Sequence, residues 1–379
     1  MDKLKKFIDV IVPVTTCTLR CHYCYITHRR LFGGALPHFK YSPEQFKAAL
    51  TQKRLGGVCM FNFCGGGETL LPPEILEYIY AILEEGHYVM IVTNATVDRA
   101  FDTMEKWPKE FLSRLFFKFS YHYLELKKRN LFDKFFRNIR RMRDAGASFT
   151  LEATPSDELV PYIDEMKEQS MREVGAWCHI SVPRYEHDFA EIPLLSRMSP
   201  NDFYNTWKVF DSAFFEYKFS VFGEKQTKFC YAGDWTGFLV MGEESCRFTQ
   251  CYCSLDSMDL FDDLDKPVKC HAVGHFCQLP HCFNAHAFLS FGAIPERNDP
   301  TYDVLRNRVC ADGSEWLKPR MKEFMHQRLR DNNAEYSMLQ KFLADSWMEV
   351  HVTERNIKKD LRKVVKKLLP GKRTAQNKN

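Results

Sequence analysis

The chain has 379 residues, 45% of them hydrophobic and 14% aromatic, with 18 glycines and 17 prolines, which excludes a disordered, collagen-like or low-complexity protein and leaves room for two or three modules. The net charge of +4 hides an asymmetry: residues 355–379 hold ten Lys and Arg against one acid, so the body carries 43 basic and 48 acidic residues, and the basic balance is no footprint of specific nucleic-acid binding. Mean hydropathy is −0.37 and no apolar run approaches the length of about 18 residues that a spanning helix needs.

The first apolar stretch, 7–14, has a superficial likeness to a signal peptide. It is short, carries Asp9 and has no small-residue cleavage site behind it, so a cytoplasmic protein is expected and the stretch reads as a first strand. Further strands are expected at 58–63, 88–93, 115–119, 148–153 and 177–182, nearly continuous in apolar residues, as strands covered on both faces are. Helical stretches lie between them. Ser42-Pro43-Glu44-Gln45 is a capping box, and Gly86 and Gly146 stop the helices 75–85 and 131–145. Six such repeats argue for a partial (β/α)6 barrel of parallel strands, with its site at the C-terminal strand ends. An aromatic-rich packing helix is expected from Ser199-Pro200 to about Lys218.

Residues 230–310 are rich in cysteine and poor in periodicity, which predicts a small segment held by metal rather than by a core of its own. C-terminal helices close the chain. The expected divisions are 1–220, 221–312 and 313–379. In the tail, Ile357, Leu361, Val364, Val365, Leu368 and Leu369 share one face opposite lysines before Pro370-Gly371. That face suits contact with an anionic membrane surface or a docking partner; the plainer expectation is a helix packed on the body with a solvated basic side.

Fourteen cysteines without an export signal point to metal or chemistry rather than to disulfides. Cys59, Cys64 and Cys178 sit in apolar runs and read as buried structural thiols. The loop after the first strand spaces Cys17, Cys21 and Cys24 as C-x3-C-x2-C. Three such thiolates can hold three corners of a [4Fe–4S] cube and leave the fourth iron open to a small molecule. A zinc site completed by His22 or His28 is the alternative. The second strand ends in Gly65-Gly66-Gly67-Glu68-Thr69 and the third in Thr93-Asn94-Ala95, at the same rim. Glycines there allow close backbone approach, and Glu68 offers an anion to an ammonium group.

In this order, Cys17, Cys21, Tyr23 and Cys24 followed by Gly66-Gly67-Glu68 resemble the signature of the radical S-adenosylmethionine (SAM) superfamily, over about residues 5–220. The resemblance implies that the three thiolates hold the [4Fe–4S] cluster and that SAM completes it. It places Tyr23 by the adenine, Gly66, Gly67 and Glu68 at the methionine amino group, and Asn94 and Ser120 at the ribose and carboxylate. Thr69 and Ala95 depart from the common form, often Pro and Gly, at turn positions. The expected chemistry is reductive cleavage of SAM to a 5′-deoxyadenosyl radical that abstracts hydrogen from a substrate.

A second resemblance, of Cys230-Tyr231-Ala232-Gly233 and Gly242-x3-Cys246 to SPASM and twitch domains, implies an auxiliary [4Fe–4S] cluster. Its expected ligands are Cys230, Cys246, Cys277 and Cys282, with Cys270 in reserve. Structural zinc, helped by His271, His275, His281 and His286, or free thiols at Cys251, Cys253 and Cys310 are the alternatives. Relatives act on peptides, proteins and small molecules such as sugars, and an external electron donor such as flavodoxin or ferredoxin is implied. A peptide or protein substrate is expected, with sugar-type oxidation as the alternative. A zinc-stabilised or SAM-binding scaffold without catalysis is the further rival.

Overall fold

The computed structural model describes residues 2–185, 191–252 and 254–368, with side chains as far as Arg362. The six expected strands are present as β1 (Lys6–Val12), β2 (Cys59–Gly65), β3 (Tyr88–Thr93), β4 (Leu115–Ser120), β5 (Ser148–Ala153) and β6 (His179–Ile180), and three more follow as β7 (Thr236–Met241), β8 (Cys246–Thr249) and β9 (Ser257–Asp259). All belong to one sheet of order β6-β5-β4-β3-β2-β1-β7-β8-β9. The pairs from β6 to β7 are parallel and the last two are antiparallel. The chain is thus an α/β partial barrel followed by a cysteine-bearing segment and C-terminal helices.

Successive strand residues point to opposite faces. One face, Ile8, Val10, Phe61, Phe63, Ile91, Phe117, Phe119 and Leu151, packs under the surrounding helices without exposure. The other face is graded. Phe7, Met60, Tyr88, Met90 and Phe116 lie at the bottom in an apolar cluster with Phe288, Phe291 and Phe324 from the last third of the chain. Asp9, Asn62, Lys118 and Glu152 come next on that face, then Cys64, Val92 and Ser120 near the C-terminal ends. The strands are therefore covered on both faces as expected, but polar groups interrupt the inner one.

The punctuation works as chemistry requires. Ser42 Oγ accepts from Gln45 N at 3.3 Å while Gln45 Oε1 accepts from Ser42 N at 2.9 Å, opening the helix Pro43–Ala49. Gly146, at φ 108°, ends the helix Phe132–Ala145 in a left-handed conformation that glycine adopts without strain. The aromatic helix from Pro200 is not continuous. It stops at Trp207, passes through a short 3₁₀ turn, and restarts as Ala213–Ser220. Ser212 causes the restart: its Oγ accepts from Phe215 N at 3.2 Å and from Ile180 N at 3.3 Å, pinning the new helix to the end of β6.

Two further expectations need correction. The cysteine-rich segment does have an apolar core, built from Phe229, Tyr231, Trp235, Phe238, Val273 and Phe288 and continuous with the bottom of the barrel. Its strand β7 pairs with β1, from Phe7↔Thr236 to Ile11↔Val240. Aromatic side chains spaced without a regular period hid that core from the sequence. The C-terminal helix, Met338–Leu368, buries Ala344, Met348 and Val352 against the body. Ile357 and Leu361 are 56% and 58% exposed, so the described part of the tail's apolar face is not packed down. Leu369, Pro370, Gly371 and Cys253 lie outside the described residues, as do the side chains of Val364, Val365 and Leu368. No helix among the described residues is long and apolar enough to cross a membrane.

Candidate active site

At the C-terminal rim of the sheet a cavity of about 80 Å³ is lined by Cys17, Cys21 and Cys24. Gly65, Gly66, Gly67 and Glu68 after β2, Asn94 after β3, and Ser120 and His122 after β4 complete its wall. A larger groove between the helices Pro43–Ala49 and Ile75–Glu84 lies outside the barrel and carries none of these groups.

The glycine strip is required by packing. Gly67 N donates to Val14 O at 2.6 Å and Glu68 N to Thr16 O at 3.0 Å, which lays the strip against the start of the thiol loop. A Cβ on Gly67 would fall well inside van der Waals contact with the Thr16 carbonyl, and one on Gly66 would meet Ile26 Cδ1 at 3.0 Å. Only bare backbone lets the two segments share the rim.

Glu68 is 3% exposed. Its Oε1 accepts from Thr93 Oγ1 at 2.6 Å and Leu70 N at 3.1 Å, and its Oε2 from Asn94 N at 2.8 Å. Burial raises its pKa, and these three donors oppose the rise. An ionised carboxylate has about four acceptor positions, so two are spent on Thr93 and Asn94 at the end of β3, one on the nearby Leu70 N, and one is left for a ligand. Asn94 is also committed within the chain. Its Nδ2 donates to Thr18 Oγ1 at 2.9 Å and approaches Cys17 Sγ at 3.6 Å, while its Oδ1 accepts from Thr96 Oγ1 at 2.7 Å. It braces the thiol loop. Ala95 sits at φ 55°, the left-handed region where glycine is the easier residue.

Tyr23 is not in the cavity wall. Its hydroxyl pairs with His122 Nδ1 at 2.6 Å, and the ring lines a neighbouring open groove of about 330 Å³ with His22, Asp157 and Glu158. His122 connects the two spaces.

The three thiols are the natural metal donors here. Burial pushes Cys17 up to about 11, with Leu19 N opposing, and Cys21 higher still. Free, Cys17 and Cys21 would stay protonated at neutral pH, so metal binding there is coupled to proton release. The donor set, sulfur from three loop positions beside a glycine-walled cavity, fits an iron–sulfur cluster with one iron left to a small ligand. Among the described residues, no three His, Cys, Asp or Glu side chains converge on one point as a single bound ion requires.

A second thiol group lines a small apolar cavity of about 30 Å³: Cys230, Cys251, Cys277 and Cys282, with Phe283 and Asn284 beside them. Cys246 is not among them. It lies on β8 in the main core, as Cys270 does, and burial raises each to about 12. Cys251, read from the sequence as a free thiol in the alternative, is the fourth cysteine lining this cavity. The signal in the sequence was its short separation from Cys246; only the antiparallel turn back of β8 from β7 tells which of the two faces Cys230.

Sequence reading also missed the charged groups of the inner strand face, Asp9, Lys118 and Glu152. A charge at an alternate position inside an otherwise apolar strand was the available signal.

Among known families, residues 11–154 match the model of the Radical SAM superfamily. No curated protein matches the chain. Among solved structures it is similar to SuiB of Streptococcus suis bound to S-adenosylmethionine, at 13% identity over 62% of this chain and 58% of that one, with a TM-score of 0.44. It is similar also to native anSMEcpe with bound AdoMet, at 12% identity over 69% of this chain and 80% of that one, TM-score 0.45. The same protein with AdoMet and the Cp18Cys peptide matches at 13% identity over 93% and 98%, TM-score 0.40. The chain thus spans less than two thirds of the length of SuiB.

Proposed function

We propose that this chain is a radical SAM enzyme that abstracts hydrogen from a peptide or protein substrate. The observation that carries the reading is one cavity bringing together Cys17, Cys21 and Cys24 with Gly66, Gly67, Glu68, Asn94 and Ser120, inside residues that match the family model. Cys17, Cys21 and Cys24 would hold a [4Fe–4S] cluster, and the remaining acceptor position of Glu68 faces a ligand ammonium. Bound there, cluster and SAM supply one-electron reductive cleavage of SAM and hydrogen-atom abstraction.

The chain's own residues do the rest. Asn94 and the Thr18–Thr96 hydroxyl pair, 2.7 Å apart, hold the thiol loop in register with β3. Tyr23 and His122 form the wall between the cavity and the open groove. His122 is pushed down to about 4 by burial and is neutral at physiological pH, so it pairs with the Tyr23 hydroxyl without placing a positive charge beside a bound ligand. The open groove, about 330 Å³ and lined by His22, Asp157, Glu158 and Arg197, is wide enough for a side chain and polar enough for peptide backbone, which supports a peptide over a sugar.

The auxiliary site is assigned to Cys230, Cys251, Cys277 and Cys282, four thiols around one cavity. It would bind substrate or accept the electron left after abstraction, with flavodoxin or ferredoxin as external donor to the first site. The exposed Ile357 and Leu361 beside Arg355, Lys358 and Lys359 support surface contact of the tail with an anionic membrane from the cytoplasmic side.

Anaerobic reconstitution of the full chain with iron and sulfide tests the reading. Wild type should yield deoxyadenosine from SAM under reduction. Replacing Cys17, Cys21 and Cys24 together by Ala should remove about four irons per chain and all deoxyadenosine. Full cleavage in that variant would refute the assignment, and one zinc at either site would favour the scaffold.

A further inference from the structure

Below the thiol cavity, on the same face of the strands, the described residues of the barrel interior carry more positive than negative charge. Lys118 lies on β4 two residues before Ser120, which lines the cavity, and so sits about 7 Å deeper. Glu152 comes from β5, Lys218 from the helix Ala213–Ser220, and Arg306 from the end of the helix Tyr302–Arg306. Glu152 Oε2 receives Lys118 Nζ at 3.2 Å and Arg306 Nη1 at 2.8 Å. Lys218 Nζ has a hydroxyl instead, donating to Ser181 Oγ at 3.0 Å.

Among the described residues, the other groups facing this cluster do not balance it. Asp9 accepts from Asn62 Nδ2 at 2.6 Å and from Asn284 Nδ2, and burial pushes its carboxyl up to about 7. His122, His179 and His286 are held neutral by burial. Arg184 adds a further positive field at Lys218. Among the described residues, Lys118 and Arg306 thus share the carboxylate of Glu152, Asp9 is poorly ionised, and burial, with Arg184, Lys118 and Arg306 repelling, lowers Lys218 to about 7 against the attraction of Glu152.

Arg306 gives the direction. It is fully buried and stacks on Phe214, 4.0 Å from the ring centre. With Nη1 on Glu152, its Nε and Nη2 have no hydrogen-bond partner. Those two N–H groups form the side-on edge of a guanidinium, the fork that matches the two oxygens of a carboxylate. Thr150 Oγ1 and His179 Nε2, on the neighbouring strands, are also buried without partners. Buried donors left unmade are rare unless something outside the chain satisfies them.

We propose that this cluster is a subsite that seats a carboxylate of the substrate on Lys118, Lys218 and the free edge of Arg306. As a statement about substrate it rests on the function proposed above, and it narrows that reading to substrates bearing an acidic group: a Glu or Asp side chain or a C-terminus of a peptide. The one competing source of the same chemistry is the carboxylate of SAM itself.

Bromide is a suitable probe, because it is an anion whose anomalous scattering marks its place. Crystals of the reconstituted full chain, grown with and without SAM, are soaked in bromide. The expected result is an anomalous peak within hydrogen-bond distance of Lys218 Nζ and Arg306 Nη2 in both crystals. Lys218→Arg should keep the peak and Lys218→Met should lose it, with SAM affinity within twofold of wild type. Because burial, with Arg184, Lys118 and Arg306 repelling, outweighs the attraction of Glu152 for Lys218, Lys218→Met should melt no lower than wild type. No peak in wild type without SAM would overturn the proposal. A peak that SAM displaces, or a tenfold loss of SAM affinity in Lys218→Met, would give the cluster to SAM and overturn the substrate assignment. A peak in a protein that never cleaves SAM would instead sink the proposed function and leave the anion subsite standing.

Discussion

Glu152→Gln removes the carboxylate that Lys118 and Arg306 share while keeping the shape and a hydrogen-bond acceptor for Arg306. Burial alone would raise the Glu152 carboxyl, but Lys118 and Arg306 outweigh it and hold the group at about 2, against an ordinary 4.5. At about 1.4 kcal/mol per pH unit, that difference is about 3 kcal/mol of stability. Breaking a buried pair from one side typically costs about 3–5 kcal/mol, so the two routes agree. The sign follows from the depressed value: the contribution is complete above about pH 4.5 and is lost as pH falls through about 2. Urea unfolding followed by tryptophan fluorescence, under anaerobic conditions at pH 7, should show the variant less stable by about 3 kcal/mol. The gap between variant and wild type should close toward pH 2. Lys118→Met in the same background should recover part of the loss, since it removes one of the stranded charges. A loss under about 1 kcal/mol, within the range of an ordinary surface pair, or a gap independent of pH, would refute the charge accounting.

Three other outcomes follow from particular contacts. Gly67→Ala should abolish iron retention at the first site, because its Cβ would collide with the Thr16 carbonyl; normal iron content and absorbance would show that the strip can shift. Glu68→Ala strands three donors as well as losing a ligand contact, so calorimetric titration should show weaker SAM binding together with a lower melting temperature. The expected stability loss is about 1–3 kcal/mol, and unchanged SAM affinity would assign the amino end to another group. Cys251→Ser should lower iron content at the second site whereas Cys246→Ser should not; the reverse pattern in anaerobic elemental analysis would restore Cys246 as the ligand.

Much of the barrel was legible because its cues are local. Ser42 with Gln45, Gly146, and the apolar runs from Phe7 to Ala153 each act through neighbours a few residues away. The clustering of Cys17, Cys21 and Cys24 with Gly66-Gly67-Glu68 was readable for another reason: two loops at the same end of adjacent parallel strands must share one rim. What failed to show depended on contacts between distant segments. Ser212 breaks an otherwise good helix only because β6 stands beside it. Cys246 and Cys251 differ in no local property that sets one in the core and the other with Cys230. Asn94 and Glu68 were readable as rim residues, while their bonds to Thr18, Thr93 and Leu70 needed the folded geometry.

The place of β7 has a consequence for how the chain is made. β1 leads into the thiol loop, and one of its two edges is filled by β2 soon after β1 itself is made, but the other waits for residues 236–240. At bacterial or eukaryotic elongation rates of about 5–20 residues per second, roughly ten to fifty seconds pass with that edge bare. Throughout that interval a hydrophobic strand presents unpaired N–H and C=O groups beside three reactive thiols, the arrangement most open to wrong pairing. A nascent chain stalled before residue 236 should therefore be a client of holding chaperones, and metal loading at Cys17, Cys21 and Cys24 should follow release of the complete chain rather than accompany its emergence.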